Sequence, residues 1–353
     1  MKSLQVAVTH ILPNTRIRRA RLLPRPGQVQ VRTGQSVSAL DVIAATPGSG
    51  GYVLIDLRRA LQIPRSERLA SYLECQVGER VQAGDILARK KGVIKRIVPA
   101  PFSGRFAAFQ SGQLLLEKEG PSLEIRAGFS GTVAEIFPDL GAIIETRGAL
   151  IQCAWGNDRV EQGMLVNASK SLHEELLPAN LDMNMRGKIV AGGYVARAEV
   201  FQAAADLSIR GLILAGMSAR LVPQAESSGF PVILTEGFGS RAMNSAAFEI
   251  LTDLENQVVC VMAIPWSPFS GDRPEVIIPR PGEQDYPPVA APLIPGKTVR
   301  VLGAAPGGIG MITSVESGLS LLPNRIRAAA ASVKLQGSSE TVLVPLNNLD
   351  ILE

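Results

Sequence analysis

Residues 34–44 read GQSVSALDVIA and residues 78–88 read GERVQAGDILA, so a glycine, a valine, an alanine, an aspartate and a closing alanine return in the same register 44 positions on. Phe102-Ser103-Gly104 returns in the same way as Phe129-Ser130-Gly131, and residues 141–151 (GAIIETRGALI) give a looser third version of the first pattern. A glycine supplies the positive φ of a tight turn, the valine and following apolar residues alternate toward a core, and Asp41 and Asp85 stand where a turn carboxylate accepts from nearby backbone N–H groups. A motif written repeatedly in this form predicts a front half built of related β-hairpins.

The spelling G-x-x-V-x-x-G-D-x-L-A followed by P-x-S-G, carried here by Gly78, Val81, Gly84, Asp85, Leu87 and Ala88 and then Pro101, Ser103 and Gly104, resembles the biotinyl/lipoyl-like fold, the barrel-sandwich hybrid. The resemblance implies that fold for the front of the chain. Members that carry biotin or lipoate attach it to one lysine at the tip of an exposed hairpin, in triplets such as M-K-M or D-K-A. Neither triplet occurs. Lys90, Lys91 and Lys95 lie instead in the basic run RKKGVIKR, read as solvated loop charge outside a symmetric hairpin pair. The repeats are therefore expected to act as scaffold or docking surface, with no cofactor and no metal.

A chain of 353 residues, 46% hydrophobic and 19% charged, is long enough for two or three domains with cores of their own. No apolar run approaches the roughly 18–20 residues that cross a bilayer as a helix, and the N-terminus lacks the form of a secretory signal. Cys75, Cys153 and Cys260 are scattered and odd in number, which points to a reducing cytoplasm. The net charge of +4 is unevenly spread: residues 1–105 carry +12 and the remainder −8. Two clusters dominate the basic front, Arg16, Arg18, Arg19, Arg21 and Arg25, and then Arg89, Lys90, Lys91, Lys95 and Arg96. They are candidate contacts for nucleic acid or an acidic partner. Solubilising charge on strand edges, or docking of the basic front on the acidic middle, are the alternatives.

Five segments follow from the punctuation. Residues 1–165 form a β-rich lipoyl-like repeat domain, 166–185 a connector with a helix over 169–177, and 186–264 a small α/β domain of four short apolar strands alternating with helices. Residues 265–295, with nine prolines, are expected to be a stiff linker or wrapping segment. In residues 296–353, Gly296, Val299, Val301, Gly303, Gly307, Gly310 and Ile312 resemble the KOW motif of SH3-like barrels in ribosomal proteins and transcription elongation factors. That resemblance implies a small closing barrel whose loop, with Gly303, Pro306, Gly307, Gly308 and Gly310, contacts RNA or protein. The expected fold class is multidomain α+β.

Ligands of open parallel sheets bind beyond the carboxyl ends of the strands. The glycine-bearing ends here nominate Gly192, Gly193, Gly216, Ser218, Glu236, Gly237, Gly239, Ser240 and Arg241, with Arg241 and the free N–H groups of a following helix suited to an anion. The other reading of these glycines is tight strand-to-helix turns, with Ser240 as the helix cap. With only His10 and His173, and no hydrolase, kinase or redox motif, no catalytic residue is nominated. The first functional expectation is a non-catalytic scaffold or adaptor for protein partners, in a transcription- or translation-linked complex. The alternatives are a sensor or enzyme with its site at those strand ends, and nucleic-acid binding through the basic front.

Overall fold

The computed structural model describes residues 5–6, 11–64, 68–91, 95–267, 272–280, 291–301, 308–337, 339 and 341–352. It is strand-rich, 51% strand against 14% helix, and arranges its strands in several sheets. The front contributes β1 (Ile11–Leu22), β2 (Gln28–Val29), β3 (Ser36–Val37), β4 (Val42–Asp56), α1 (Leu57–Leu61), β5 (Arg80–Val81), β6 (Ile86–Lys90), β7 (Arg96–Pro99), β8 (Gly104–Gln110), β9 (Gln113–Arg126), β10 (Gly131–Phe137) and β11 (Gly141–Gln152).

The two copies of the repeat are wired alike. Gly34 (φ 81°) donates its N–H to Val133 O at 2.8 Å, Val133 N–H returns to Gln35 O at 2.9 Å, and Ser38 N–H donates to the Asp41 carboxylate at 2.8 Å. Gly78 (φ 96°) donates to Phe106 O at 2.7 Å, Phe106 to Glu79 O at 2.9 Å, and Gln82 N–H to the Asp85 carboxylate at 2.7 Å. The Phe-Ser-Gly echo is the partner strand of each copy: β3 pairs with Gly131 and Thr132, and β5 with Gly104 and Arg105. A Cβ on Gly104 would lie 2.1 Å from Glu117 O, and one on Gly131 2.3 Å from Glu145 O, so both glycines let two backbones meet.

One unit sits inside the other. The core that includes Leu57, Leu87, Phe106 and Leu116 is drawn from residues 57–116, while Ile17, Ile43, Phe129 and Ile144 build a second core from the flanking sequence. The long strands β4 and β9, paired from Val42↔Arg126 to Asp56↔Gln113, connect them. The expected hairpins do not form within the copies: β3 pairs with β10 while β4 pairs with β2 and β9, and β5 pairs with β8 while β6 pairs with β7, so the two arms of each turn enter different sheets. The looser third copy lacks the turn as well. Its aspartate position is Gly148, so no carboxylate closes a turn there, and residues 141–152 run as the single strand β11.

The middle of the chain adds β12 (Trp155–Gly156), β13 (Val160–Asn167), β14 (Ile189–Val195), α2 (Glu199–Asp206), β15 (Gly211–Met217), α3 (Val222–Ser227), β16 (Val232–Phe238), α4 (Ser245–Asp253), β17 (Val258–Met262) and β18 (Glu275–Pro279). The continuous apolar runs β14, β15 and β16 are parallel to one another and to β13, whereas β17, expected as a further strand of that parallel sheet, pairs antiparallel with β13 and β18. They belong to an 11-stranded sheet in the order β12-β16-β15-β14-β13-β17-β18-β11-β10-β3, with β1 on the other edge of β11. Helices α2 and α3 cover one face through Val200, Phe201 and Ala225, and α4 covers the other through Ala247, Ile250 and Leu251. This sheet crosses the sequence divisions expected at 165 and 264.

Two expectations are corrected. The helix over 169–177 does not form: Leu176 N–H bonds Tyr194 O and Tyr194 N–H bonds Glu174 O, both at 2.9 Å, so the segment's backbone is captured by the part of β14 that β13 does not reach. Helices in the connector are limited to the 3-10 turns Pro178–Asn180 and Met183–Met185. The proline-rich segment is not only a linker, because Pro274 and Pro279 bracket the apolar run that becomes β18, buried between β17 and β11.

The chain ends with β19 (Thr298–Val301), β20 (Ile309–Leu321), β21 (Arg327–Leu335), β22 (Thr341–Pro345) and β23 (Leu349–Ile351). They form a five-stranded antiparallel sheet in the order β22-β21-β20-β19-β23, around Val299, Ile312, Val333, Leu349 and Ile351. A 3-10 turn, Leu346–Asn348, carries the chain from β22 back to pair β23 with β19.

Candidate interaction cleft

Among the described strands β1 pairs with β11 alone, so one of its edges is open. Leu23 N–H donates to Leu140 O at 2.8 Å, in register with Leu22↔Gly141. Bonded and non-bonded pairs alternate along an antiparallel ladder, so Thr15, Ile17, Arg19 and Arg21 bond to β11, and Arg16, Arg18, Ala20 and Leu22 turn their N–H and C=O groups outward.

The same alternation sorts the arginine run. Arg16 and Arg18 lie on the exposed face: Arg16 holds Glu145 through Nε and Nη2, both at 2.9 Å, and Arg18 Nε is 3.2 Å from the same carboxylate. Arg19 and Arg21 point to the core side with Ile17. Arg19 grips Glu275 through Nε at 2.8 Å and Nη2 at 2.6 Å, and Arg21 donates Nε to Ala127 O at 3.0 Å with Asp272 at 3.8 Å. Burial opposes the charge of Arg19, but the hydrogen bond and attraction of Glu275 outweigh it and raise the pKa. Burial lowers that of Arg21, with Asp272 and Glu275 pulling the other way. Glu275 and Asp272 come from beyond residue 264, so the basic front is neutralised in part by later sequence.

A cleft of about 1160 Å³ runs beside β1, and every residue from Thr15 to Leu22 lines it. The facing walls come from Glu124 to Arg126 at the end of β9 and Asp158 to Glu161 at the start of β13. Seven arginines (16, 18, 19, 21, 126, 159 and 273) stand against five carboxylates (124, 158, 161, 272 and 275), a balance of +2, and no aromatic side chain is among the lining residues. Arg159 is exposed and makes no ion pair among the described residues.

The remaining basic candidates lie elsewhere. Arg25 reaches Glu117 at 3.2 Å and the carbonyl of Pro47. Arg89 pairs with Glu74 at 3.0 Å, and Lys90 donates to Gln62 O at 3.2 Å. The run from Arg89 to Arg96, expected outside a hairpin pair, joins the antiparallel strands β6 and β7, with Lys91 and Lys95 exposed between them.

At the strand ends of the parallel sheet the glycines make room for backbone. A Cβ on Gly193 would fall 1.7 Å from Glu174 O, one on Gly192 2.9 Å from Leu176, and one on Gly216 2.5 Å from Gly239 O. Gly237 and Gly239 have φ of 94° and 108°, and Gly239 N–H closes on Met217 O at 2.8 Å. Ser218 N–H bonds Val195 O, and Arg241 Nε bonds Phe238 O at 3.0 Å. The cap of α4 is Asn244, which accepts from Ala246 N–H at 2.9 Å. Ser240 is exposed four residues earlier. Glu236 accepts from Asn244 N–H at 3.1 Å and faces Arg300 Nη2 at 3.3 Å. Arg300, whose side chain is 6% exposed, also donates to Thr235 O at 3.0 Å. The C-terminal sheet thus docks on these strand ends.

Of the KOW-like loop, Gly303, Pro306 and Gly307 lie outside the described residues. Gly308 O accepts from Val301 N–H at 2.8 Å, and Gly310 packs within β20 against Val333. All three cysteines are free, and burial pushes the thiols of Cys75, Cys153 and Cys260 up. Among the described residues no group of His, Cys, Asp or Glu is placed to hold a metal ion, and no helix is long and apolar enough to cross a membrane.

No protein-family model matches the chain, and no curated protein matches it in sequence. The open edge of β1 and the cleft arginines 126, 159 and 273 were not apparent in the sequence, because a strand's edge status is decided by pairings more than a hundred residues apart. The one local sign is the placement of arginines on both parities of β1.

Proposed function

We propose that the chain is a non-catalytic cytoplasmic scaffold or adaptor for protein partners, working in a transcription- or translation-linked complex, and that β1 receives an extended, acidic partner segment as an added strand. The observation that carries this reading is the cleft of about 1160 Å³ along the outward-facing N–H and C=O groups of Arg16, Arg18, Ala20 and Leu22, of which Arg18 O also accepts from Arg19 Nη1 at 2.8 Å. A free edge inside a cleft offers main-chain hydrogen bonds for affinity and side-chain neighbours for selectivity. Arg159, exposed and without an ion pair among the described residues, favours a carboxylate on the incoming strand.

A polypeptide fits better than a nucleic acid. The cleft lining presents no aromatic platform for bases, and six of its seven arginines already hold carboxylates or carbonyls, so it lacks the row of open cations that a phosphate backbone needs. The strand-end region of the parallel sheet supports a sensor or enzyme less, since Glu236 and the glycines there are engaged in packing. The finer fold assignments belong to the same proposal. The paired Gly-x-x-Val…Asp turns support barrel-sandwich-hybrid units, one inserted in the other. The meander with its last strand returned to the first after a 3-10 turn supports an SH3-like barrel.

A displayed library of extended acidic peptides, selected on the full chain and followed by fluorescence anisotropy, tests the reading. Ala20→Pro removes one outward N–H and no charge, and an edge strand tolerates it. We expect at least a ~10-fold loss of affinity, the worth of about one or two hydrogen bonds. Equal affinity of the two proteins rejects strand addition.

A further inference from the structure

We infer that Arg25, Arg80 and Arg105 form a binding site for a phosphoryl- or sulfate-type dianion, at the junction between the inserted unit and the unit that carries it. Arg80 stands directly opposite Arg105, Arg105 opposite Glu117, and Glu117 opposite Tyr52. Residues opposite one another share a face, so these four side chains form one row across the sheet. Arg25 approaches the row from the other unit.

Glu117 is fully employed. Arg105 reaches Glu117 Oε2 through Nε at 3.2 Å and Nη2 at 2.8 Å, and Oε1 accepts from Arg25 at 3.2 Å and from Tyr52 Oη at 3.0 Å. Nothing in the row answers Arg80, which is exposed and has no ion pair among the described residues. Like charges directly opposite in a sheet are destabilising, so the Arg80–Arg105 neighbourhood is poorly explained as a stability feature.

Arg80, Arg105 and Glu117 of the row line a pocket of about 450 Å³ together with Arg25, Pro26, Pro47 and Gly48, a size in the range of small-ligand sites. Arg25, Arg80, Arg105 and Lys118 face Glu117 and Glu119 in it, leaving two positive charges unanswered. A planar guanidinium with free N–H groups matches a tetrahedral oxyanion in two places at once. Glu117 takes two donors of Arg105 and one of Arg25, while Arg80 supplies unspent ones. An anion of charge two restores neutrality where the sheet itself does not.

Isothermal titration of the full chain with inorganic phosphate, inorganic sulfate and AMP, at constant ionic strength in chloride, tests this. Saturable binding of one equivalent is expected. Binding of the inorganic ions and AMP alike marks a free-anion site, and preference for AMP marks the phosphoryl group of a larger ligand; both support the site. Arg80→Ala should weaken binding about ten-fold, whereas Arg159→Ala, in the other cleft, should leave it unchanged. Glu117→Gln should tighten binding by releasing donors of Arg25 and Arg105, with unfolding measured alongside. Absence of saturable binding at millimolar concentrations, or equal weakening by Arg80→Ala and Arg159→Ala, overturns the proposal.

Discussion

Gly104→Ala probes the close approach on which the inserted unit is built. Gly104 has no positive φ to explain it; what it lacks is space, since a Cβ would stand 2.1 Å from Glu117 O and 3.0 Å from Glu117 C, both backbone. An ordinary contact needs roughly 1 Å more, and only separation of β8 from β9 supplies it. That displacement weakens about two ladder hydrogen bonds at ~0.5–1.5 kcal/mol each and adds the strain of overpacking, so a loss of about 2–3 kcal/mol is expected. For a unit of this size such a loss lowers its melting temperature by roughly 10–20 °C if it unfolds by itself. Trp155 and Trp266 both lie outside the inserted unit, so a far-UV circular dichroism transition during urea unfolding that tryptophan fluorescence does not follow reports that unit. Gly318→Ala is the control, because nothing lies within 4 Å of its Cβ position. If Gly104→Ala costs no more than Gly318→Ala, the close approach and the pairing of repeat with echo are wrong. The twin substitution Gly131→Ala, with its Cβ 2.3 Å from Glu145 O, should act on the outer unit instead.

Arg300→Ala leaves Glu236, 11% exposed, without its charge partner at the contact between C-terminal and parallel sheets. Arg300 Nε and Nη1 already lack acceptors, so the loss belongs at the lower end for a buried pair, about 3 kcal/mol, and limited proteolysis should then release residues 296–353 sooner than in the parent chain. The Glu117 carboxyl is lowered from 4.5 to about 2, foremost by its hydrogen bonds from Arg105. A depressed folded pKa contributes stability that is full above pH 4.5 and fades as pH falls toward 2. With Arg25 and Arg105 38% and 53% exposed, solvent screening reduces it to on the order of 1 kcal/mol. Unfolding of Glu117→Gln should accordingly lose the part of the parent's acid dependence that falls in that window.

The repeated turns were legible because their chemistry is local, Gly34 with Asp41 and Gly78 with Asp85 containing a whole turn within a few residues, but the pairing of their arms was not, since each arm pairs with a strand outside its own repeat. Helices α2 to α4 were legible from apolar periodicity and the strand runs between them. The insertion of one unit in the other was not, since it rests on β4 and β9 pairing across some seventy residues, and nothing in either strand names its partner. Strand β18 was hidden by the prolines that bracket it, and the connector helix was overridden by backbone bonds from β14. The candidate site divides the same way. The arginine run announced its charge, but which arginines meet Glu145 and which meet Glu275 depends on strand parity, and the row of Arg80, Arg105 and Glu117 on three strand pairings. The glycines at the strand ends were visible as glycines, but their use as contact points for Glu174 O and Gly239 O is a tertiary fact.

Amide hydrogen exchange of β1, resolved residue by residue by NMR, tests the open edge and its use most directly. In the free chain the amides of Arg16, Arg18 and Ala20 should exchange fast, while those of Ile17, Arg19 and Arg21, bonded to β11, exchange slowly; with a selected acidic peptide bound, the fast set should become protected. Uniform protection in the free chain, or an alternation that bound peptide leaves unchanged, contradicts the account.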